Sequence, residues 1–354
     1  MDKTMIERRK TRQVFVGDVA IGGDAPISVQ SMLNTKTTDV EGSLAQINAL
    51  KAVGCDLIRL AVPDEASALA FGEIAKRCGL PLIADIHYNY KLAHMALDAG
   101  AKKIRMNPGN MRDFSQIKPL AERMADMGVP VRVGVNGGSL DPKFKGMDEA
   151  KALCESALEC ANAFESAGLK DIVIAIKASD TMLNVKANRM LAKACDYPLH
   201  IGVTEAGTLR TGLVKSAIGI GTLLGEGIGD TIRVSLSTNV CEEVLAGKKI
   251  LQTLGLRKNA VEVVACPTCA RTEIDVEGLA NKVEMMTAGI DKPVKISILG
   301  CPLNGIGEGE HSDIGIAGGK EKSVILLRGK IYKTVPSANL MEEFDKLLQE
   351  VLSK

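Results

Sequence analysis

The sequence predicts a TIM (β/α)8 barrel followed by a small α/β domain, and three observations carry that prediction. Short apolar, β-branched runs alternate with amphipathic stretches through about the first 255 residues. Eight such pairs match the length and order of a closed parallel barrel. Beyond residue 257 the alternation changes and a Cys-x-x-Cys appears. An open doubly wound sheet would instead place a glycine-rich fingerprint after its first strand. None is there, and the nearest look-alike, Gly219-Ile220-Gly221 with Gly225, falls in a helical stretch.

The barrel strands are predicted at 27–33, 57–62, 81–87, 103–107, 131–136, 172–179, 200–205 and 231–237. Helical periodicity fills 41–53, 64–78, 91–99, 114–127 and 148–167 between them. Gly54, Gly79, Gly100, Gly128 and Gly168 stand where left-handed C-caps would end these five helices. The second domain reads as a strand at 261–265 leading to Cys266, a helix at 277–288, and a strand at 294–299 leading to Cys301. A glycine-rich loop, a strand at 314–317, a hairpin at 324–335 turning at Arg328-Gly329-Lys330, and a helix from Asn339 complete it. This gives a substrate-binding barrel at 1–256 and a second domain at 257–354, with 254–259 as linker.

Composition narrows the function. Lys plus Arg total 44 against 43 for Asp plus Glu, a net charge of +1 that argues against nucleic-acid binding by bulk charge. No Trp, four Tyr and six Phe leave little for base stacking or a membrane belt. The basic start lacks an apolar run behind it, and uncharged stretches such as 216–225 reach about half of the ~20 residues that span a bilayer. A cytoplasmic location is expected. Nine cysteines, an odd number in a long chain, fit reduced thiols better than a disulfide framework.

Five predicted strands carry a cation inside an apolar run: Arg59, Arg105, Arg132, Lys177 and Arg233. Strands covered on both faces hold such charges only when they are paired or reach the open mouth. Asp85 and Glu205 are the carboxylates at comparable positions, which leaves about three positive charges for a bound polyanion. The bland alternative pairs the cations with acids on following loops, such as Asp64 or Asp180. Turns at Asn107-Pro108-Gly109 and Asn136-Gly137-Gly138-Ser139, and Gly207, offer backbone N–H donors. His87, Asn107, Asn136, Ser179, Thr204, Ser235 and Ser237 add neutral polar groups suited to a hydroxylated phosphoester.

Cys266-Pro267-Thr268-Cys269 and Cys301-Pro302 carry the sharpest chemistry. A Cys-x-x-Cys with a third Cys downstream can hold three corners of an iron–sulfur cubane. Cysteines 55, 78, 154, 160, 195 and 241 fall on barrel helices or their ends and read as small core residues. A thioredoxin-type dithiol would leave Cys301 without a role, and a structural zinc would recruit His311. Three thiolates leave a fourth iron open to an oxygen or nitrogen ligand, and spacing does not choose among Glu308, Glu310 and His311.

These residues carry a resemblance. The runs APISVQSM from Ala25, ADIH from Ala84, RMNPGN from Arg105, GVNGGSL from Gly134 and IKASD from Ile176 occur in order. TEAG from Thr204, VKSAIGIG from Val214, EGIGDTIRVSLS from Glu226 and ACPTCAR from Ala265 follow. With Arg8-Arg9-Lys10-Thr11-Arg12 and the stretch from Cys301 to Glu308, the chain resembles the bacterial (E)-4-hydroxy-3-methylbut-2-enyl diphosphate synthases of the non-mevalonate isoprenoid pathway.

The resemblance implies a barrel that binds 2-C-methyl-D-erythritol 2,4-cyclodiphosphate and a C-terminal [4Fe–4S] domain. It implies cluster ligands at Cys266, Cys269, Cys301 and Glu308. The diphosphate cations fall on Arg59, Arg105, Arg132, Lys177 and Arg233, and Asn136 and Ser235 join them as neutral contacts. One departure is visible: Ile306 stands where members usually have Pro. The implied reaction is a two-electron reductive dehydroxylation fed by reduced ferredoxin or flavodoxin. Glu205 is the candidate acid for the departing hydroxyl, with Asp85 or His87 orienting it. A homodimer, one chain's cluster domain capping the other's barrel, is implied as well. The alternatives are a non-redox phosphosugar aldolase or isomerase with a zinc appendage, using Lys177 as Schiff base, and a zinc-dependent interaction module on a degenerate barrel.

Overall fold

The computed structural model describes residues 6–87, 89–107, 114–137, 140, 142–144 and 146–353. Pro108, Gly109, Gly138 and Ser139, expected as donor turns, lie outside the described residues. Two compact units divide the chain, Met1–Arg257 and Lys258–Lys354.

Unit one opens with a hairpin that the sequence reading did not anticipate, β1 (Gln13–Val16) and β2 (Val19–Gly22). Gly17, at φ 62°, supplies the positive dihedral of a two-residue connection. The barrel strands are β3 (Ser28–Met32), β4 (Leu57–Ala61), β5 (Leu82–Ile86), β6 (Lys103–Met106), β7 (Val131–Asn136), β8 (Ile172–Lys177), β9 (His200–Ile201) and β10 (Thr231–Ile232). All are parallel to their neighbours, and β10 pairs with both β3 and β9. A parallel bridge from Ile174 to Leu199 closes the ring. Val16 and Ile21 of the hairpin pack against Leu57 and Ile83, so the amino-terminal end of the barrel is plugged by apolar side chains.

The last two strands are shorter than the predicted 200–205 and 231–237. Ladder bonds continue past them, with Arg233 N–H donating to the Ile201 carbonyl at 3.1 Å and Thr204 N–H to that of Ala178 at 3.3 Å. Gly202 and a left-handed Glu205, at φ 52°, break the pleat there. The predicted 114–127 helix begins as a 3-10 turn, Phe114–Gln116, and the α-helix proper is Ile117–Asp126. Starting at Ile117 keeps Pro119 in the first turn, where no intrahelical N–H is required. The helix ends follow the sequence signals. Asp39, Asp64, Asn89, Asp148 and Asp180 accept from first-turn amides, and Gly54, Gly79, Gly100, Gly128 and Gly168 all take positive φ.

Unit two is a five-stranded sheet in sequential order: β11 (Glu262–Ala265), β12 (Lys295–Leu299), β13 (Ile314–Ala317), β14 (Lys322–Leu327) and β15 (Lys330–Pro336). The first three are parallel, and β14–β15 is the predicted hairpin, turning on Arg328 and Gly329 at φ 49° and 73°. Helices Val276–Thr287 and Leu340–Ser353 bury Val283, Phe344 and Leu348 against Ile296, Ile298 and Ile316.

The expected glycine-rich loop after Cys301 is instead a helix, Pro302–Gly309. Its glycines serve close approach rather than chain reversal. A Cβ at Gly305 would lie 2.6 Å from the Ala317 Cβ, and one at Gly309 would lie 2.2 Å from Leu326 Cδ1. Spaced four apart, both face the sheet.

Candidate active site in the barrel mouth and thiols of the second unit

Period-two alternation turns Arg59, Asp85, Arg105, Arg132 and Lys177 toward the barrel axis. Arg59, Asp85 and Arg105 line a cavity of about 890 Å³, with Met32, His87 and Asn107 on the same side. Asn136, Gly137, Ser179, Thr204 and Glu205 line the other. Arg132 and Lys177 stand behind this wall, 2% and 7% exposed. Ser235 and Arg233 are half-buried and are not on the wall.

Glu149 and Asp180 also line the cavity, but the wall carboxylate seen to pair with its arginines, among the described residues, is Asp85. Arg105 Nη1 donates to Asp85 Oδ1 at 2.9 Å, and Arg59 Nε lies 3.5 Å from Asp85 Oδ2. Arg59 also directs Nε and Nη2 at the Met32 sulfur, at 3.2 and 2.9 Å, a weak acceptor that an anion would displace. Burial resists charge on Asp85, but the fields of Arg59 and Arg105 outweigh it and hold the carboxyl at about 2. Burial, followed by Arg132 and Arg233, lowers Lys177 well below the ordinary lysine range.

Asp64 and Asp180 do not pair with the strand cations. Their carboxylates cap helices, accepting from Ser67 N–H at 2.8 Å and Leu183 N–H at 2.7 Å. The carboxylate that answers Arg233 is Glu243, at 3.5 Å and 3% exposed. Glu243 also accepts from the Leu236 amide at 2.9 Å.

Two glycines make room for the cations. A Cβ at Gly134 would sit 3.1 Å from Arg105 Nε and 3.3 Å from Arg132 Nη2. One at Gly202 would sit 2.8 Å from Lys177 Nζ and 2.4 Å from the Arg233 carbonyl.

Sequence reasoning missed Lys103, His200, Glu243 and Glu149. Lys103 had a signal, since it stands two residues before Arg105 on the same face of β6. Glu243 lies on the buried stripe of its helix with Val240, Val244 and Gly247, a pattern in which a carboxylate looks accidental. Glu149 lines the cavity from the first position of helix Glu149–Ser166.

In unit two, Cys266 and Cys301 follow the carboxyl ends of the paired parallel strands β11 and β12. Gly300 N–H donates to Cys266 Sγ at 3.2 Å, an interaction that favours a thiolate ligand. Cys269 is exposed, and the Arg271 backbone N–H pulls its pKa below the ordinary thiol value. Cys301 is the N-cap of helix Pro302–Gly309, whose seventh residue is the exposed Glu308. Among the described residues no three His, Cys, Asp or Glu side chains already stand close enough to hold a metal ion. By type and placement the donors fit an iron–sulfur group: thiols at two adjoining strand ends, one receiving an N–H···S bond, and a carboxylate nearby in sequence. The barrel thiols are of another kind. Burial pushes Cys55 and Cys160 up to about 12 and Cys154 to about 11.

Residues 11–248 match the family described as "GcpE TIM-barrel domain", and residues 262–350 match "GcpE protein C-terminal domain". The chain belongs to the GcpE family. A GcpE relative from Caldanaerobacter subterraneus subsp. tengcongensis, named 4-hydroxy-3-methylbut-2-en-1-yl diphosphate synthase (flavodoxin), is 49% identical over 99% of this chain and 100% of its own length. One of the same name from Ruminiclostridium cellulolyticum is 46% identical, over 98% of this chain and 99% of its own. Among solved structures, the dihydropteroate synthase of Stenotrophomonas maltophilia aligns with a TM-score of 0.53 at 18% identity, covering 69% of this chain and 98% of that one. That likeness bears on the barrel fold alone. No helix among the described residues of this GcpE chain is long and apolar enough to cross a membrane.

Proposed function

We infer that the chain catalyses the reductive ring opening of 2-C-methyl-D-erythritol 2,4-cyclodiphosphate to (E)-4-hydroxy-3-methylbut-2-enyl diphosphate, with reduced flavodoxin as electron donor. Reduced ferredoxin is the other donor of matching chemistry. Two electrons and two protons enter, one C–O bond of the ring opens, and one oxygen leaves as water.

The observation that carries this reading is the barrel mouth itself. Arg59 and Arg105 line it, Arg132 and Lys177 lie buried behind them, and Asp85 is the carboxylate that faces Arg59 and Arg105. A diphosphate supplies the missing negative charge, and planar guanidinium forks suit its oxygens. Arg233, Asn136 and Ser235 complete that floor in this reading. Asp85, ionised and held between two arginines, orients them. Glu205 stands on the cavity wall in a strained left-handed conformation, a condition common in active-site residues, and donates the proton to the departing hydroxyl. His87, half-buried on the same wall, orients the substrate's hydroxyl groups.

A [4Fe–4S] cluster held by Cys266, Cys269, Cys301 and Glu308 would deliver electrons singly, as the reduction requires. A homodimer that brings this centre to a partner's barrel belongs to the same reading. The aldolase or isomerase reading, with Lys177 as Schiff base, finds no support in relatives whose names carry a flavodoxin.

Anaerobic purification followed by iron, sulfide and zinc analysis tests the cofactor, and turnover of the cyclic diphosphate with reduced flavodoxin tests the reaction. Iron and sulfide in equal amounts, falling in Cys266→Ala, Cys269→Ala, Cys301→Ala and Glu308→Ala, are expected. A colourless protein containing one zinc would overturn the reading.

A further inference from the structure

Below the cationic floor the barrel is filled unusually. Interiors of such barrels are ordinarily packed with branched aliphatic side chains. Here Lys103 and His200, both fully buried, face the axis one layer nearer the amino-terminal end than Arg105 and Gly202. Lys103 Nζ and both His200 ring nitrogens have no hydrogen-bond partner among the described residues. Nor do both side-chain polar atoms of Gln30, nor Ser28 Oγ and Thr231 Oγ1, Thr231 being in register with both His200 and Ser28. Unsatisfied polar atoms at this depth are costly, and a purely structural role would favour Leu or Ile at each position.

The layer is closed beneath. Ile83, in register with Lys103 on β5, packs on the apolar plug of Val16, Ile21 and Leu57. Its polar atoms therefore communicate upward, toward the mouth.

We propose that Lys103 and His200 form a second, deeper tier of the anion site, which takes up protons from solvent as an anion enters the floor above. This rests on the reading of that floor as a diphosphate site. The charges facing the tier are of one sign. Arg105 lies above Lys103 on its own strand, Arg132 and Arg59 come from β7 and β4, Lys177 ends β8, and Arg233 follows β10. The carboxylates are engaged elsewhere: Asp85 with Arg59 and Arg105, Glu243 with Arg233, and Asp230 with Arg8, Thr11 and the Leu199 amide. In the free protein burial, reinforced by Arg132 for Lys103 and by Lys177 for His200, disfavours the charged forms of both. A multiply charged anion offsets that positive field, and protonation of the tier then costs less. The tier acts through the floor, so both are positioning residues for the bound anion.

Inorganic sulfate is the probe, because it does not titrate near neutral pH and every proton counted is one bound by the protein. Calorimetry of sulfate binding to the full-length holoenzyme between pH 6.5 and 8.5 gives the affinity slope. Wild-type affinity is expected to fall roughly five- to tenfold per pH unit, the slope of about one proton taken up. Lys103→Met combined with His200→Gln should bind sulfate with a slope below about twofold per unit. An unchanged slope in that double variant assigns the proton to Lys177 and overturns the proposal. In wild-type protein, the His200 ring ¹⁵N shifts should move from the neutral toward the imidazolium pattern when sulfate is added. The His200→Gln spectrum assigns them among the chain's four histidines. Sulfate binding with no such movement overturns the tier alone. Failure of wild-type protein to bind sulfate overturns the floor reading with it.

Discussion

Arg105 and Asp85 face each other in register across β6 and β5 and share a 2.9 Å hydrogen bond, with both side chains less than one-tenth exposed. Removing one partner of such a pair strands the other charge. Asp85→Asn should therefore lower stability by about 3 kcal/mol, measured as a shift in the urea midpoint. The pH dependence has a definite sign. The folded carboxyl lies at about 2, below the roughly 3.9 of an unfolded chain. Its stabilisation is complete above the unfolded value and is lost as pH falls toward the folded one. The gap between wild type and variant should therefore narrow from about pH 5 downward. A gap independent of pH would show that Asp85 is not held ionised by its arginines.

Gly134 tests the floor without removing a charge. Its missing side chain lets the Arg105 and Arg132 forks approach over the strand, and a methyl at 3.1–3.3 Å forces both to give by a few tenths of an ångström. Bidentate contacts depend on that placement. Gly134→Ala is expected to weaken inorganic pyrophosphate binding by about tenfold, roughly the loss of one charged hydrogen bond. Its unfolding midpoint should stay within reach of wild type. Unaltered pyrophosphate affinity would remove these two arginines from the anion site.

Glu205 should show a conflict between stability and activity. A non-glycine residue at φ 52° costs about 1–2 kcal/mol of backbone strain, which glycine avoids. Glu205→Gly should raise the melting temperature while turnover falls, and Glu205→Gln should lower turnover by about 10²–10⁴-fold with iron content unchanged. Wild-type turnover in Glu205→Gln would end its assignment as the acid.

Most of the fold was legible because its signals are local. Gly54, Gly79, Gly100, Gly128 and Gly168 mark helix ends, and each takes the positive φ its place predicts. A strand covered on both faces, such as Leu57–Ala61, needs no polar alternation and is apolar apart from Arg59. The floor was legible for the same reason, since a cation inside a strand like Val131–Asn136 stands out against its neighbours. What escaped depends on distant partners. Glu243 answers Arg233 from a helix, and nothing near Glu243 in the sequence announces it. The hairpin Gln13–Gly22 was written in the alternation around Gly17-Asp18 and was overlooked beside the stronger barrel pattern. Glycines at 305 and 309 suggested a loop because their packing against Ala317 and Leu326 lies across the sheet.

That helix gives a last prediction, at Ile306. Ile306 is the fifth residue of Pro302–Gly309, so its N–H falls to the Pro302 carbonyl in regular helix geometry. Proline there would remove that donor and crowd the same carbonyl, at a cost of about 3 kcal/mol to the helix. Ile306→Pro should therefore release the turn that carries Glu308 while the sheet beneath persists. Hydrogen exchange of the full chain reads this directly. The amides of Gly307, Glu308 and Gly309 should exchange at least tenfold faster, a change of about 1.4 kcal/mol or more, while those of Ile296 and Ile316 keep wild-type protection. Unchanged protection at Glu308 would mean that its position is set by packing of Gly305 and Gly309 on the sheet, and not by continuity of the helix.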